Sequence, residues 1–411
     1  MSFNSVKSSR QNGLRLGFVA AALIMSACGS AGTPSTGTNK NATATPYVIH
    51  AIVSETGAGA FLGSREAKSL QALARYVNAH GGIDGHPVEM SIQNNESSPS
   101  TAVSLASPLV SSGVPFILNG SLTATDKAVN ALAGSTGPFM FGLSPGVSPS
   151  PGSMIFSAGD ATVLQIEAAL NFLKSKGLTN IASVTSTDAS GADGYKQLTA
   201  ALALPRYSTF HLLTHQTFDP AAVNVSTELS VVKAMHPQAM LVWTTGTPFG
   251  TVLNGMSSLG MENIPTVTTN ANAVYSELVH FESLLPKELY FPSGTIYLSP
   301  SNINNSAVRA QVTSFDAAIN TAGGHVGDAW GLAWDPAQLL IAAIKKLGIH
   351  ATAKQILHYM QNLHNTPGIY GLYNTSKTNH RGTSISSIYM TSFTGKGFRA
   401  ESGPGGTPTK K

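Results

Sequence analysis

From Tyr47 onward, the sequence alternates between short apolar stretches rich in β-branched residues and longer stretches with helical periodicity. Four predicted strands lie between residues 47 and 143, and four more lie between residues 181 and 269. Strands that alternate with helical stretches of ten or more residues form parallel sheets covered by helices on both faces. Two such series indicate two lobes, so the sequence predicts a bilobal α/β protein.

Residues 78–90 (NAHGGIDGHPVEM) show how one of these units is divided. Apolar residues upstream recur at steps of three and four, which is typical of one face of a helix. Gly81 and Gly82 can adopt the left-handed conformation that ends a helix, and Pro87 prevents the helix from resuming. From Val88, apolar and polar residues alternate as in a strand. The stretch therefore predicts a helix end, a turn and the start of a strand.

The pattern beyond the second series is less regular. Residues 295–299 (TIYLS) and 386–393 (SSIYMTSF) predict strands. The Asp-Pro pair at 335–336 could start a helix that continues over 337–347, because proline is tolerated in the first helical turn. The same pair could equally kink a helix that already runs from Trp330.

The composition excludes several protein classes. Hydrophobic residues make up 42% of the chain, which excludes a disordered protein. Without Lys7, Arg10 and Arg15 of the N-terminal segment, 21 basic residues remain against 20 acidic ones. A balance so close to neutral gives no electrostatic footprint for nucleic acid. The single cysteine excludes internal disulfides and thiolate metal clusters, and no cofactor motif is present.

The N-terminus predicts export. Residues 1–27 combine basic residues, the apolar run LGFVAAALIM and small residues before Cys28, as in a signal peptide. The apolar run is too short to span a bilayer, which needs about 20 residues. The sequence MSAC resembles the lipobox of bacterial lipoproteins, with Met25 in place of the commoner leucine, although a plain secretory signal is the alternative. We predict a lipid anchor on Cys28 and a flexible tether over 28–46 as the only membrane attachment.

The stretch NAHGGIDGHPVEMSIQNNESSPSTAV (78–103) resembles the N-lobe motif of type I periplasmic binding proteins. The specific likeness is to the branched-chain amino-acid-binding family of ABC-transporter receptors. SETGAGAFLG (54–63) resembles its first ligand loop, LSPGVSPSP (143–151) its second and GLAWDPAQLL (331–340) its late helix. The resemblance covers residues 47–400. It implies two Rossmann-like lobes joined by three crossovers, with the ligand enclosed between them.

The resemblance also implies where each lobe begins and ends. The expected segments are an N-lobe of 47–157 plus 297–385, a C-lobe of 158–296 plus 386–400, and a disordered tail of 401–411. The expected hinges lie near 157–161, 293–298 and 384–388.

The resemblance places ligand-binding residues in loops after the strands, and three groups are expected. The first loop supplies Thr56, Phe61 and Leu62; the third and fourth strands of the N-lobe supply Ser121, Thr123, Ser144, Gly146 and Ser148; the C-lobe supplies Asp188, Thr245 and Asn270. Hydroxyls and loop amides suit an oxyanion because they donate hydrogen bonds without carrying charge. Turn formation alone would explain the same serines and glycines.

The C-lobe departs from the pattern of amino-acid receptors. Asn270 stands where the family usually has an acidic residue for the ligand ammonium, and Gly191 stands where an aromatic residue is common. An unpaired buried ammonium costs several kcal/mol, which is most of a micromolar affinity of about 8 kcal/mol. Unless Glu55 or Asp188 supplies the charge, we expect a ligand with a carboxylate or another acceptor and no α-ammonium group.

Three other patterns favour structural roles. Gly142–Gly146 fits the G-x-S-x-G motif of hydrolases, but the prolines that follow prevent the helix that this motif requires. His211 and His215 have a metal-like spacing without further ligands nearby, so no metal site is predicted. Trp330 and Trp334 favour core packing.

The sequence thus predicts a solute-binding receptor, not an enzyme, that delivers a small ligand to an ABC permease outside the cytoplasm. Two alternatives remain open at this point. An extracytoplasmic sensor could share the fold and signal to a partner protein. A hydrolase using Ser144 would need a histidine and an acidic residue close to that serine.

Overall fold

The computed structural model describes residues 44–325, 327 and 331–409. The predicted signal peptide, Cys28, the tether up to residue 43 and Trp330 lie outside these ranges. Within them, no helix combines the length and the apolar character that are needed to cross a membrane.

Five parallel strands form the first sheet: β1 (Tyr47–Val53), β2 (Val88–Asn94), β3 (Phe116–Asn119), β4 (Phe139–Gly142) and β5 (Ile155–Ser157). Their order is β2-β1-β3-β4-β5. The helices that pack with this sheet come from both ends of the described chain: α1 (Ala60–Ala79), α2 (Pro99–Ser111), α3 (Thr123–Asn130), α9 (Ser306–Thr321), α10 (Gly331–Leu347) and α11 (Ala353–Met360). We call this part the first lobe.

Seven strands form the second sheet: β6 (Asn180–Ser186), β7 (His211–Phe218), β8 (Ala239–Trp243), β9 (Thr266–Thr268), β10 (Leu289–Ser293), β13 (Tyr389–Phe393) and β14 (Phe398–Ala400). Their order is β14-β13-β10-β9-β8-β6-β7, and only β13 and β14 join as antiparallel strands. The helices of this second lobe are α4 (Thr162–Ser175), α5 (Ala189–Leu202), α6 (Ser226–Ala234), α7 (Thr247–Ser258) and α8 (Tyr275–His280). A short hairpin, β11 (Thr366–Gly368) and β12 (Gly371–Tyr373), precedes β13.

The chain passes between the two lobes three times: after β5, after β10 and after β12. The predicted α/β fold with two lobes and three crossovers is therefore confirmed. The predicted helix end and strand start around residues 78–90 are also confirmed. Gly82 has a φ of +70° and donates its N–H to the carbonyl of Val77 at 3.0 Å, and β2 begins at Val88.

The strand predicted over 295–299 is wrong. Residues Thr295–Tyr297 form a single 3₁₀ turn, and the Thr295 hydroxyl donates to the carbonyl of Ile369 at 2.7 Å. Ile296 and Tyr297 are buried. The apolar character of this stretch therefore reflects burial at the second crossover rather than pairing in a sheet.

Helix α10 begins before the Asp-Pro pair, since Pro336 lies inside it. Of the two alternatives for this pair, the structure shows the one in which the helix has started before Asp335. The Asp335 carboxylate, buried next to the proline, accepts hydrogen bonds from the N–H groups of Ile369 and Tyr370 and from the Tyr373 hydroxyl. Asp335 thus attaches the β11–β12 hairpin to α10.

The prediction of a disordered tail over 401–411 is wrong for residues 401–409. Residues Pro404–Gly406 form a 3₁₀ turn that packs on α4, and Asn171 donates to the carbonyl of Gly405 at 2.9 Å. Gly405 donates its N–H to Ile388 at 2.7 Å. A Cβ atom on Gly406 would lie 1.9 Å from the Ala168 carbonyl oxygen. Glycine at position 406 permits this close approach.

Candidate functional site

The carboxyl ends of the two parallel sheets face each other across a cleft, where ligands bind in open α/β sheets. A small space there, which we call the inner cavity, has a volume of about 20 Å³. It has room for about one water molecule. The described residues that line it carry no formal charge, and many bear hydroxyl groups, among them Ser121, Thr123, Ser144, Thr162, Ser190 and Thr269.

A pair of buried hydroxyls forms the first-lobe wall. The Oγ1 of Thr123 and the Oγ of Ser144 lie 2.8 Å apart, and the two residues are 5% and 3% exposed. Because one hydroxyl donates to the other, one of the two hydrogens stays available to the cavity. A Cβ atom on Gly146 would lie 2.4 Å from the Thr123 Oγ1. Glycine at this position therefore allows the loop to approach the hydroxyl pair.

Asp126 positions the loop that carries Ser144. Its carboxylate accepts the backbone N–H of Ser144 at 2.8 Å and the side-chain amide of Asn130 at 3.3 Å, and it also accepts from Asn119. Burial raises the pKa of Asp126 well above its ordinary value, although the Ser144 N–H favours the ionised form. The loop after β4 is thus held by a buried carboxyl group.

Glu66 has the same role for the loop after β3. The Ser121 hydroxyl donates to the Glu66 carboxylate and accepts the backbone N–H of Ser54 at 3.2 Å. Burial raises the pKa of Glu66 to about 7, against the opposing effect of the Ser121 hydrogen bond. While Glu66 is ionised, the hydrogen of Ser121 points to the carboxylate and not to the cavity.

Arg381 connects the loop after β4, which carries Ser144, to the crossover that follows β5. Arg381 is only 7% exposed, and its guanidinium donates to the carbonyls of Pro145, at 3.0 Å, and Val147 in the loop after β4. It also donates to the carbonyls of Ala158 and Gly159 at the crossover. Burial lowers the pKa of Arg381 to about 10, so the group is charged at neutral pH.

Neutral groups form the second-lobe wall. The Gln165 carbonyl oxygen accepts the N–H of Asn270 at 3.2 Å and the hydroxyl of Thr269 at 3.4 Å. Trp243, at the end of β8, lines the inner cavity. Its ring lies against Gly194 of α5, where a Cβ atom would be 2.2 Å away. Trp243 thus supplies an aromatic ring against α5, the helix in which Gly191 stands at the position of the expected aromatic residue.

Six of the predicted ligand residues line the inner cavity: Leu62, Ser121, Thr123, Ser144, Gly146 and Thr245. Phe61 lines a second space instead, which we call the mouth cavity. The mouth cavity has a volume of about 460 Å³ and lies between residues 57–65 of the first lobe and residues 246–281 of the second. The structure therefore brings most of the residues predicted for the first lobe to one side of the cleft, and their contact with a ligand stays a prediction.

The other four predicted ligand residues line neither cavity. Asp188 is the N-cap of α5, where its carboxylate accepts the N–H of Gly191 and the hydroxyl of Ser186, both at 2.9 Å. Asn270 is buried beside the cavity, and its neighbours Thr269 and Ala271 line it instead.

Thr56 and Ser148 are exposed. The Thr56 hydroxyl accepts the side-chain amide of Asn94 at 2.9 Å, which holds the first loop against β2. Serine and threonine are frequent in turns for such reasons, so their presence in a loop does not identify a ligand contact.

Sequence reasoning missed several lining residues, among them Trp243, Thr269, Thr162, Gln165 and Leu332. Trp243 is the last residue of a strand and Thr269 follows a strand. Because ligands bind at the carboxyl ends of parallel strands, these two residues could have been predicted from the sequence. Gln165 and Leu332 lie within helices and reach the cavity through tertiary packing, for which no local pattern exists.

The other motifs have structural environments. The Ser144 hydroxyl is bonded to Thr123, and the N–H of Ser144 to Asp126, rather than to a histidine. His215 stacks on Tyr195 with ring centroids 3.5 Å apart. The described residues contain no group of three potential metal ligands. Trp334 is buried against Phe315, as core packing predicts.

Comparisons with known proteins add to this geometry. The sequence model of the family described as periplasmic binding protein matches residues 46–397. An extracellular ligand-binding receptor from Rhodopseudomonas palustris HaA2 has a TM-score of 0.76 and 17% sequence identity, over 87% of this chain and 99% of that chain. No curated protein matches the sequence.

Two similar structures contain ligands. The branched-chain amino acid transporter substrate-binding protein LivJ from Streptococcus pneumoniae, in complex with isoleucine, has a TM-score of 0.70 and 18% identity, covering 87% of this chain and 98% of that chain. A solute-binding protein of an ABC transporter from R. palustris, in complex with benzoate, has a TM-score of 0.73 and 16% identity, covering 89% and 98%. At these identities the likeness describes the fold.

Proposed function

Because the chain belongs to the periplasmic binding protein family, we propose that it is an extracytoplasmic receptor that binds a small solute between its lobes and delivers it to an ABC permease. The observation that carries this proposal is the uncharged, hydroxyl-rich inner cavity where the carboxyl ends of two parallel sheets meet. Members of the family are extracytoplasmic, which agrees with the export signal predicted for residues 1–27.

The size of the inner cavity supports a closing motion. A volume of about 20 Å³ is too small for a solute such as isoleucine or benzoate, so the lobes must separate for a ligand to enter. The three crossovers are the only covalent links between the described lobes, and hinge rotation about a few such residues is a common mode of domain closure. Small-angle scattering should give a smaller radius of gyration with saturating ligand. An unchanged radius, with binding shown by calorimetry, contradicts hinge closure.

We propose a ligand with a carboxylate or another hydrogen-bond acceptor and without an α-ammonium group. The described lining residues of the inner cavity include no acidic side chain that could pair with an ammonium, and the Thr123–Ser144 pair keeps one hydroxyl hydrogen for an acceptor. The benzoate complex concerns a protein of the same fold whose ligand has a carboxylate and no ammonium.

A thermal-shift screen with amino acids, carboxylates, aromatic acids and amides tests the proposal, because a ligand that binds the folded state raises the apparent stability. Calorimetry then compares leucine, isoleucine and valine with their keto-acid counterparts. Micromolar binding of the amino acids, with weaker binding of the keto acids, would contradict the proposed ligand class. The absence of any stabilising solute contradicts the receptor function itself.

Delivery to a permease and attachment through Cys28 are further parts of this proposal. A lipid on Cys28 would hold the receptor at the membrane surface, within reach of a permease. Mass spectrometry of the protein from its native host should find an acylated Cys28 as the first residue. Another first residue contradicts the lipid anchor and leaves ligand binding unaffected.

A further inference from the structure

The two cavities between the lobes differ greatly in size. The mouth cavity has a volume of about 460 Å³, whereas the inner cavity has about 20 Å³. Pockets of about 300–1,000 Å³ are typical of sites that enclose small organic molecules. The mouth cavity is therefore large enough for a substantial part of a ligand.

The two cavities share their walls. At three places, one residue lines the inner cavity and its neighbour in the chain lines the mouth cavity. With the residue of the inner cavity named first, the pairs are Leu62 and Phe61, Thr245 and Gly246, and Ala271 and Asn272. The two spaces thus lie on opposite sides of one thin layer.

Phe61 and Gly246 form part of this layer. Gly246 has a φ of +84°, and a Cβ atom on it would lie 2.5 Å from the Cε1 of Phe61. The Phe61 ring therefore lies directly against the backbone of the second lobe. Phe61 is only half-buried, and its ring is the part of this layer that a ligand reaching both cavities has to displace.

The mouth cavity offers mainly apolar surface. Its apolar lining includes Phe61, Phe249, Phe281, Val274 and Leu278. Two of the polar side chains beside them, Asn272 and Arg65, already have partners. The Asn272 side chain donates to Thr244 and Thr268 and accepts the N–H of Gly246. Arg65 donates to the Phe61 carbonyl and to Ser276, and lies 3.8 Å from Glu277.

We propose that the mouth cavity binds the apolar tail of a ligand whose polar head group contacts the hydroxyls of the inner cavity, which must widen to admit it. The ligand class would then be alkyl or aryl-alkyl monocarboxylates or amides of six or more carbon atoms, rather than a compact solute. This inference rests on the proposed function, since it assumes that the head group binds between the lobes.

Calorimetry with butanoate, hexanoate, octanoate and the three corresponding primary amides tests the inference on the purified full-length protein. Full burial of a methylene tightens binding about fourfold, so the dissociation constant should fall at least roughly tenfold from the four-carbon to the eight-carbon ligand. Ser64→Trp places an indole in the mouth cavity from α1, and Thr247→Trp does so from the start of α7. Gln71→Trp, at an exposed position of α1, is the matched control.

In either cavity-filling variant, the increase in affinity with ligand chain length should disappear, while the four-carbon ligand binds as in the wild type. Gln71→Trp should keep the gain. Thermal melting identifies a variant that fails to fold, in which case the other variant decides. An unchanged chain-length gain in the folded filling variants overturns the inference.

Binding of short solutes in the thermal-shift screen, without tighter binding of the eight-carbon acid or amide, overturns the inference and leaves the proposed function intact. A screen in which no solute binds contradicts both.

Discussion

The two lobes position their halves of the cleft with different chemistry. In the first lobe, the buried Asp126 carboxyl accepts the N–H of Ser144 and holds the loop after β4. In the second lobe, the Asn272 amide holds the loop after β8, since it donates to the Thr244 carbonyl at 2.8 Å and accepts the N–H of Gly246 at 3.3 Å. Ionisable groups thus support one wall and neutral amides the other, so pH should act on the first-lobe wall.

The largest expected effect comes from removing these two supports. Asp126→Ala leaves the Ser144 N–H and the Asn130 amide without an acceptor in the core and removes one acceptor of the Asn119 amide. It should lower the free energy of unfolding by about 3 kcal/mol. Asn272→Ala should lower it by about 2 kcal/mol, because only neutral hydrogen bonds are lost. Urea unfolding measures both, and Asp126→Asn, which keeps an acceptor oxygen, is the control. A larger loss in Asn272→Ala would reverse the comparison.

The second effect is on stability as a function of pH. Burial raises the pKa of Glu66 from 4.5 to about 7, so between these values the folded protein holds a proton that the unfolded chain has released. The contribution of Glu66 is therefore fully present at the acid end and is lost as the pH rises towards 7, by about 3 kcal/mol. Asp160 and Asp335, whose pKa values are raised to about 7 and about 6, act in the same direction.

Glu66→Gln should therefore flatten part of the decrease in unfolding free energy between pH 5 and pH 8. Glu167→Gln, which changes a second-lobe carboxylate that pairs with Arg206 at the surface, is the matched control. Equal profiles for the wild type and Glu66→Gln would show that Glu66 titrates normally in the folded protein.

A third effect concerns ligand binding. A carboxylate bound near Ser121 lies close to Glu66, whose pKa is raised to about 7, so protonation of Glu66 removes like-charge repulsion as the pH falls. The affinity for the best carboxylate of the thermal-shift screen should rise roughly threefold to tenfold as the pH falls from 8 to 6. The corresponding amide should bind equally at both values. Calorimetry measures both ligands, and equal pH dependence for the two would rule out this coupling.

The smallest expected effect is on closure. Arg65 of α1 binds Ser276 and Glu277 of α8 and so connects the lobes at the rim of the mouth cavity. Arg65→Ala should weaken ligand binding about twofold to fivefold, because a partly exposed ion pair contributes up to about 1 kcal/mol. Small-angle scattering without ligand should show a larger radius of gyration. Arg75→Ala, at an exposed position of the same helix, is the control and should change neither quantity. An unchanged radius and affinity in Arg65→Ala contradict a role in closure.

Local patterns predicted much of the fold. The strands and helices follow from periodicity, and the family predicted from residues 78–103 is confirmed by the match over 46–397. The prediction of a strand over 295–299 was wrong because burial at a crossover produces the same apolar pattern as a strand. The prediction of disorder was wrong for residues 401–409 because glycine and proline are common both in disordered segments and in tight turns that pack closely.

The candidate site was predictable only in part. Ser121, Thr123 and Ser144 follow strand ends in sequence, so their position in the cleft could be inferred. Arg381 comes from a loop more than two hundred residues away from the loop that it binds, and no local pattern connects the two. Asp188 has the sequence context of a ligand residue, but its carboxylate accepts the backbone N–H of Gly191 in the first turn of α5.

The order of the strands in the second sheet has a consequence for synthesis on the ribosome. Strand β13 pairs with β10 but is translated about a hundred residues later, after most of the first lobe. At about 5–20 residues per second, β10 therefore waits roughly 5–20 s as an unpaired sheet edge. The turn at Pro404–Gly406, which packs on α4, is added later still. The lobe that begins second in the chain is thus also the last to be completed, and a nascent chain stalled before β13 exposes an open edge on which chaperones can act.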